Sequence, residues 1–268
     1  MSASGDDRAS GQRRERLTIS GVVLTIRDRL LLALSFLTIL PTISRVSSSP
    51  DLVARSFAWF PLVGFLIGAV LAAEDLMLTP LFNPWIRALI VVMTLTIVSG
   101  GIHLDALGDC ADGLGAGADR ARALEIMRDS RVGSFGAAAI FFALALKIFA
   151  IGGAAGVVRL AALYCAPGIG RWAMFATATR MDYLRAQGAG TALLPRQDAR
   201  SFLFASATVL VAAMPMLKLH ALRGCVVAVL LTLTLRWLYR RWLGGVTGDL
   251  IGAAGEIVEI AVFIAMTS

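Results

Sequence analysis

From Leu30 onward the chain repeats one pattern, an apolar stretch followed by a short polar segment rich in glycine and arginine. Runs long enough to cross a bilayer as helices, which takes about 20 residues each, fall at 55–73, 86–103, 134–155, 157–180, 201–217, 222–239 and 250–267. The run Leu30 to Leu40 is too short to span and is stopped by Pro41, so it reads as an interfacial or half-inserted helix. The pattern predicts an all-α fold, a polytopic transmembrane helical bundle of about seven spans with a short N-terminal interfacial helix. Residues 1–27 read as a disordered, arginine-rich cytoplasmic tail and 28–268 as a single integral membrane domain.

Composition sharpens the picture. Apolar residues make up 57% of the chain and charged residues 16%, with a mean hydropathy of +0.77. A water-soluble globule cannot hide that much apolar surface. The net charge of +7 comes almost wholly from arginine, since Lys147 and Lys218 are the only lysines. The arginines gather between apolar runs, which suits lipid headgroups better than nucleic acid. If the spans alternate, most of them fall on one face, the cytoplasmic one by the positive-inside rule. Segments 101–136, 181–200 and 244–256 share that face and hold most of the polar residues and glycines, so one composite site is expected there. Cys110, Cys165 and Cys225 are far apart and form no CxxC, so neither a zinc site nor a disulfide framework is indicated, and all three read as buried small apolar residues.

The sharpest chemical signal is Gly100-Gly101-Ile102-His103-Leu104-Asp105-Ala106-Leu107-Gly108-Asp109-Cys110-Ala111-Asp112-Gly113. On a helix, Asp105, Asp109 and Asp112 project from one narrow face. Carboxylates so placed repel one another unless a cation neutralises them, and a hard divalent ion such as Mg²⁺, held with water and substrate phosphate, answers that need. The small residues Gly108, Ala111 and Gly113 would let a diphosphate approach the backbone. A second block, Glu125 to Gly136, offers Arg128 and Arg131 as phosphate forks and Gly133 at a helix N-terminus as an anion pocket. The same arginines would serve equally as membrane anchors paired with Asp129. In a third block, Asp249, Gly252, Glu256 and Glu259 share one helical face, and carboxyls within an apolar helix should face the interior. Glu256 is expected to meet Lys147 or Arg171, as an ion pair or around a substrate. His103 is an acid or base candidate of lower rank than the aspartates.

Four blocks, GGIHLDALGDCADG at 100–113, EIMRDSRVGSFG at 125–136, RSFAWFPLVGFLIGA at 55–69 and GGVTGDLIGA at 244–253, together resemble the cobalamin synthase (adenosylcobinamide-GDP ribazoletransferase) family. The family's central motif usually reads HLDGLADTADG, so Ala106, Gly108 and Cys110 are small-for-small departures that keep the acidic spacing. Gly188-Ala189-Gly190 is a looser match to a glycine-containing stretch of the family. The resemblance implies a multi-span enzyme of the bacterial inner membrane with cytoplasmic active-site loops. It implies transfer of adenosylcobinamide-GDP onto alpha-ribazole or its 5'-phosphate with release of GMP, and Mg²⁺ as cofactor. On that reading Asp112 and Asp109, with His103, are the catalytic candidates, and Asp112 is the base for the ribazole hydroxyl. Asp105, Asp109, Asp112, Asp129 and Asp249 are the candidate metal ligands, and Arg128, Arg131, Gly113, Gly133 and Lys147 the substrate contacts. The expected partners are the two substrates and the lipid bilayer, no nucleic acid, and a possible second copy of the chain in a homo-oligomer. Two other classes share parts of the pattern. A CDP-alcohol phosphotransferase also clusters aspartates at a membrane face, but the arginine its motif needs after Asp112-Gly113 is missing. A secondary transporter would use Lys147, Arg171 and Glu256 at membrane depth.

Overall fold

The computed structural model describes residues 26–40, 50–115, 117, 119–129, 131–185, 198–216 and 218–268. Most of the tail, the Ser47-Ser48-Ser49 linker and Gly188-Ala189-Gly190 lie outside the described residues. The described chain is helical, with no strand: α1 (26–37), α2 (Pro50–Ser56), α3 (Phe60–Leu78), α4 (Pro84–Val98), α5 (Ile102–Gly115), α6 (Arg120–Ile126), α7 (Ser134–Gly153), α8 (Gly156–Ala178), α9 (Ala199–Ala213), α10 (Lys218–Trp242) and α11 (Gly248–Thr267). A 3-10 turn, Phe57–Trp59, joins α2 to α3.

Side-chain caps set four of the described helix starts. Asn83 caps α4 by accepting from the Trp85 and Ile86 amides at 3.0 and 3.1 Å, with Pro84 at the first helical position. Asp119, Asp198 and Thr247 cap α6, α9 and α11 in the same way.

Four continuous segments are long and apolar enough to cross a membrane: Leu52–Leu78, Ser134–Gly153, Leu219–Trp242 and Gly248–Thr267. Their outward faces are apolar, as with Phe141, Phe142 and Phe149 on α7 and Leu230, Leu233 and Trp237 on α10. α8 is as long, about 35 Å at 1.5 Å per residue, but carries Arg159 and Arg171 and is covered by protein on nearly every side. α9 is apolar but, at 15 residues, shorter than a span.

The span expected at 86–103 is broken. α4 stops at Val98, the backbone takes positive φ at Gly100 (63°) and Gly101 (69°), and α5 leaves at 87° to α4. Two consecutive left-handed residues are cheap only for glycine. The break places His103 and the three aspartates together on a separate short helix.

α8 is the axis of the bundle, with α3 and α11 packed along it. Gly64 and Gly68 of α3, a small-xxx-small pair, lie against the backbone of α8 at Pro167 and Tyr164, where any β-carbon would overlap a carbonyl. On the other side, a β-carbon at Gly170 would stand 2.9 Å from Glu259 Cβ. Pro167 is tolerated inside α8 because neighbouring helices pack closely on the backbone it disturbs. α1 contributes Leu32, Ala33 and Leu37 to the same core, so this short helix packs into the bundle as well as bordering the membrane.

Candidate active site

The polar segments predicted to share a face do meet at one end of the bundle, as far as they are described. Val246 donates to the Asp182 carbonyl at 2.8 Å and Leu184 to the Val246 carbonyl at 2.9 Å. Arg185 donates to the Asp249 carboxylate and, at 3.2 Å, to the Met127 carbonyl. Gly252 of α11 sits against Ala106 of α5, where a β-carbon would come within 2.8 Å. These contacts hold the first turn of α11 beside the acidic face of α5.

On α5, Asp105 is exposed and Asp109 half-buried, and neither accepts a hydrogen bond from any described residue. Asp109 lies within electrostatic reach of Asp105, Asp112, Asp249 and the compensating Arg185. Two unengaged carboxylates one helical turn apart, facing a third on α11, create a region of negative potential open to water.

Asp112 is used differently. Its Oδ2 accepts from the Gly133 amide at 2.7 Å and its Oδ1 from the Gly136 amide at 2.8 Å. These amides belong to the N-terminal turn of α7, where no intrahelical partner exists. The anion pocket expected at Gly133 is therefore filled by the protein's own carboxylate. Both oxygens of Asp112 are engaged, so it clamps the start of α7 to α5, a structural role beside the one expected from the sequence, since each oxygen keeps a lone pair. A β-carbon at Gly133 or Gly136 would overlap that carboxylate.

Three more expectations change. Gly113 is buried under Met127 of α6, and a β-carbon there would stand 2.7 Å from Met127 Cγ, so it serves packing rather than diphosphate approach. Lys147 is buried between α7 and α11, with Nζ 2.7 Å from Glu256 and 2.6 Å from Glu259, and is not free for phosphate. His103 points into the bundle, 4% exposed, with Nδ1 3.4 Å from an Arg171 nitrogen. It lies on the side of α5 away from Asp105, since residues two apart are about 200° apart on a helix. Arg171 in turn pairs with Glu259. The charged groups that kept a transport reading open thus close on one another, as two cations and two carboxylates.

In the segment between α6 and α7, Arg131 forks onto Asp129 with contacts of 2.6 to 3.1 Å, and the pair is largely exposed. Hydrogen bonds from the Arg131 side chain and amide hold the Asp129 carboxyl down at about 2. Arg128 is exposed beside it. Arg185 was not expected as a site residue. Its only sequence signal is its place in the 181–200 segment on the shared face.

Among the described residues no three His, Cys, Asp or Glu side chains come close enough to cage a metal by themselves. The donor chemistry still fits Mg²⁺, which is commonly held by one or two carboxylates and completed by water and phosphate oxygens. Asp105 and Asp109 are hard oxygen donors without partners among the described residues, whereas Asp129 and Asp249 are already paired with arginines.

The fold and this face define an integral membrane helical bundle with an acidic, water-accessible surface at one end. The chain belongs to the cobalamin-5-phosphate synthase family, which it matches over residues 29–267. A Klebsiella pneumoniae subsp. pneumoniae protein named adenosylcobinamide-GDP ribazoletransferase is 36% identical over 238 residues, 87% of this chain and 97% of that protein. Proteins of the same name from Syntrophobacter fumaroxidans (38% over 231 residues, 85% of this chain and 93% of that protein) and Roseiflexus sp. (36% over 238 residues, 88% and 87%) are similarly related. No solved structure matches the chain.

Proposed function

We infer that this chain is an adenosylcobinamide-GDP ribazoletransferase, which joins adenosylcobinamide-GDP to alpha-ribazole or its 5'-phosphate and releases GMP in the last assembly step of cobalamin. The observation that carries the mechanism is the pair Asp105 and Asp109, two carboxylates without a hydrogen-bond partner among the described residues, within electrostatic reach of Asp249 and Arg185.

The reaction is a displacement at phosphorus. A ribazole hydroxyl attacks the phosphorus on the cobinamide side of the diphosphate, the bond from that phosphorus to the GMP oxygen breaks, and the hydroxyl proton passes to a base. Asp105 and Asp109 would hold Mg²⁺, which when bound neutralises diphosphate charge and the leaving GMP. Arg128 and Arg131, exposed on the approach to this face, clamp phosphate oxygens, with Arg131 exchanging Asp129 for substrate. Arg185 holds Asp249 in place within reach of Asp109. Asp112 fixes α5 against α7, so the carboxylate pair and the arginine loop keep their relative positions. A carboxylate oxygen of the α5 cluster that is not on the metal then takes the hydroxyl proton. The arginine-bearing end is assigned to the cytoplasmic face of the bacterial inner membrane by the positive-inside rule, where nucleotide substrates are available.

The test is a membrane-fraction assay with adenosylcobinamide-GDP and alpha-ribazole, with and without Mg²⁺, following GMP and cobalamin by chromatography. Equimolar, Mg²⁺-dependent appearance of both products supports the reading. No product from folded protein overturns it.

A further inference from the structure

On the side of α8 away from α5 a groove opens between α8, α9 and α10. Its wider part has a volume of about 650 Å³ and is walled by Trp172, Ala176, Phe202, Leu203, Val229 and Leu233. A narrower part of about 160 Å³ continues it past Ile169, Val209 and Leu210 to Cys225, sharing Trp172, Ser206 and Val229 with the first. Along α10 the groove runs from Arg236 to Cys225, about 16 Å at 1.5 Å per residue, close to half of a ~30 Å hydrocarbon core. It is therefore one leaflet deep.

Its ends differ in chemistry. At the bundle end that carries the polar segments, Arg180 and Arg236 border the groove together with Asp198. Arg236 uses Nη1 to hold the last carbonyls of α8, those of Ala176, Thr177 and Thr179. Arg240 donates to the Arg180 carbonyl, adding a third cation at the mouth. Asp198 caps α9 through the Ser201 amide. The far part is apolar.

Between the two ends lies an unexplained polar atom. Thr232 borders the groove one turn below Arg236, is 2% exposed, and its Oγ1 has no hydrogen-bond partner among the described residues. Thr208 and Thr234 on the same pair of helices return their hydroxyls to the carbonyl four residues back, at 2.9 and 3.0 Å. Thr232 does not, so a donor is left without an acceptor at a depth of about 6 Å below the arginine. That hydroxyl is closed off from the groove, so it marks the inner wall and is not a contact for an occupant.

We propose that this groove binds one anionic glycerophospholipid from the surrounding leaflet: phosphate at Arg180 and Arg236, and an acyl chain along Val229 and Leu203 toward Cys225. A cationic end and an apolar wall one leaflet long follow one another in the order of such a molecule. The site is separate from the acidic face, so it stands whether or not the transfer reaction does.

The experiment is native mass spectrometry of the full chain released from nanodiscs of phosphatidylcholine with and without phosphatidylglycerol, together with its thermal midpoint in detergent with each lipid or with inorganic phosphate. Retention of one phosphatidylglycerol in preference to phosphatidylcholine, with a raised midpoint, is expected. Arg180→Gln should weaken retention roughly five-fold, the weight of one arginine at a lipid surface. Leu203→Trp, at an exposed position on the wall, should block the acyl path without affecting the fold. Equal retention of both lipids, stabilisation by inorganic phosphate alone, or unchanged retention in both variants overturns the proposal.

Discussion

Asp75 and Asp109 lie near opposite ends of the bundle, and the protein treats them in opposite ways. Asp75, on α3, is 2% exposed and receives Arg159 from α8 at 2.6 and 2.9 Å, with Arg87 of α4 at 3.7 Å. Arg159 also donates to the carbonyls of Pro84 and Ile151. One carboxylate and two arginines thus tie together α3, α4, α7 and α8 where those helices turn. Asp109 has carboxylates for neighbours, one arginine at a distance, and no hydrogen bond from a described residue. A saturated carboxylate holds a fold together. One left unsaturated beside others stores repulsion that a cation or a proton can relieve, and that arrangement is suited to chemistry.

Substitutions at the two ends should separate activity from stability. The largest effect belongs to Asp109→Asn, which should lower transfer roughly 100-fold or more, measured as cobalamin formed per folded molecule, while the detergent melting temperature holds or rises because repulsion is removed. A fall in melting temperature that matched the loss of activity would erase the distinction. Arg159→Ala should do the reverse. Leaving Asp75 buried without its main partner costs roughly 3–5 kcal/mol, seen as poor membrane yield and a lowered melting temperature, with near-normal turnover in whatever folds.

Gly136→Ala falls between these, because its β-carbon would displace the Asp112 carboxylate and press on the Gly108 carbonyl 2.9 Å away. A strain of about 1–3 kcal/mol should come with a roughly ten-fold loss of activity, the scale of disturbing a supporting contact. Asp112→Ala should reproduce the loss of activity if the clamp is what matters. The smallest effect is expected from Asp129→Asn. The Asp129 carboxyl is held at about 2, below its ordinary value, so any stabilisation from its charge is present above the ordinary carboxylate range and is lost only as pH falls toward 2. Wild-type and Asp129→Asn pH profiles should therefore run parallel from about pH 5 to 9, with at most a change in apparent affinity for the diphosphate substrate.

The acidic face was legible early because it is local: a spacing of four and three residues puts Asp105, Asp109 and Asp112 together on any helix. The pairing of Lys147 and Arg171 with Glu256 and Glu259 was also foreseeable, since charges within apolar helices turn inward. Arg159 and Asp75 gave no such signal, being 84 residues apart and joined only by the crossing of α3 and α8. The break at Gly100-Gly101 was visible as a glycine pair, yet apolar content alone carried the expected span on to residue 103.

Membrane residence, the helical class and the clustering of carboxylates on one face of α5 follow from hydropathy and helical period, which depend on neighbours within a few turns. How each charged group is used followed only from the tertiary structure. Gly133 and Gly136 offer backbone amides, which no side chain announces, and those amides give Asp112 a structural role. The packing of α11 and α6 against α5 brings Arg185 to Asp249 and leaves Asp105 and Asp109 without a hydrogen-bond partner among the described residues.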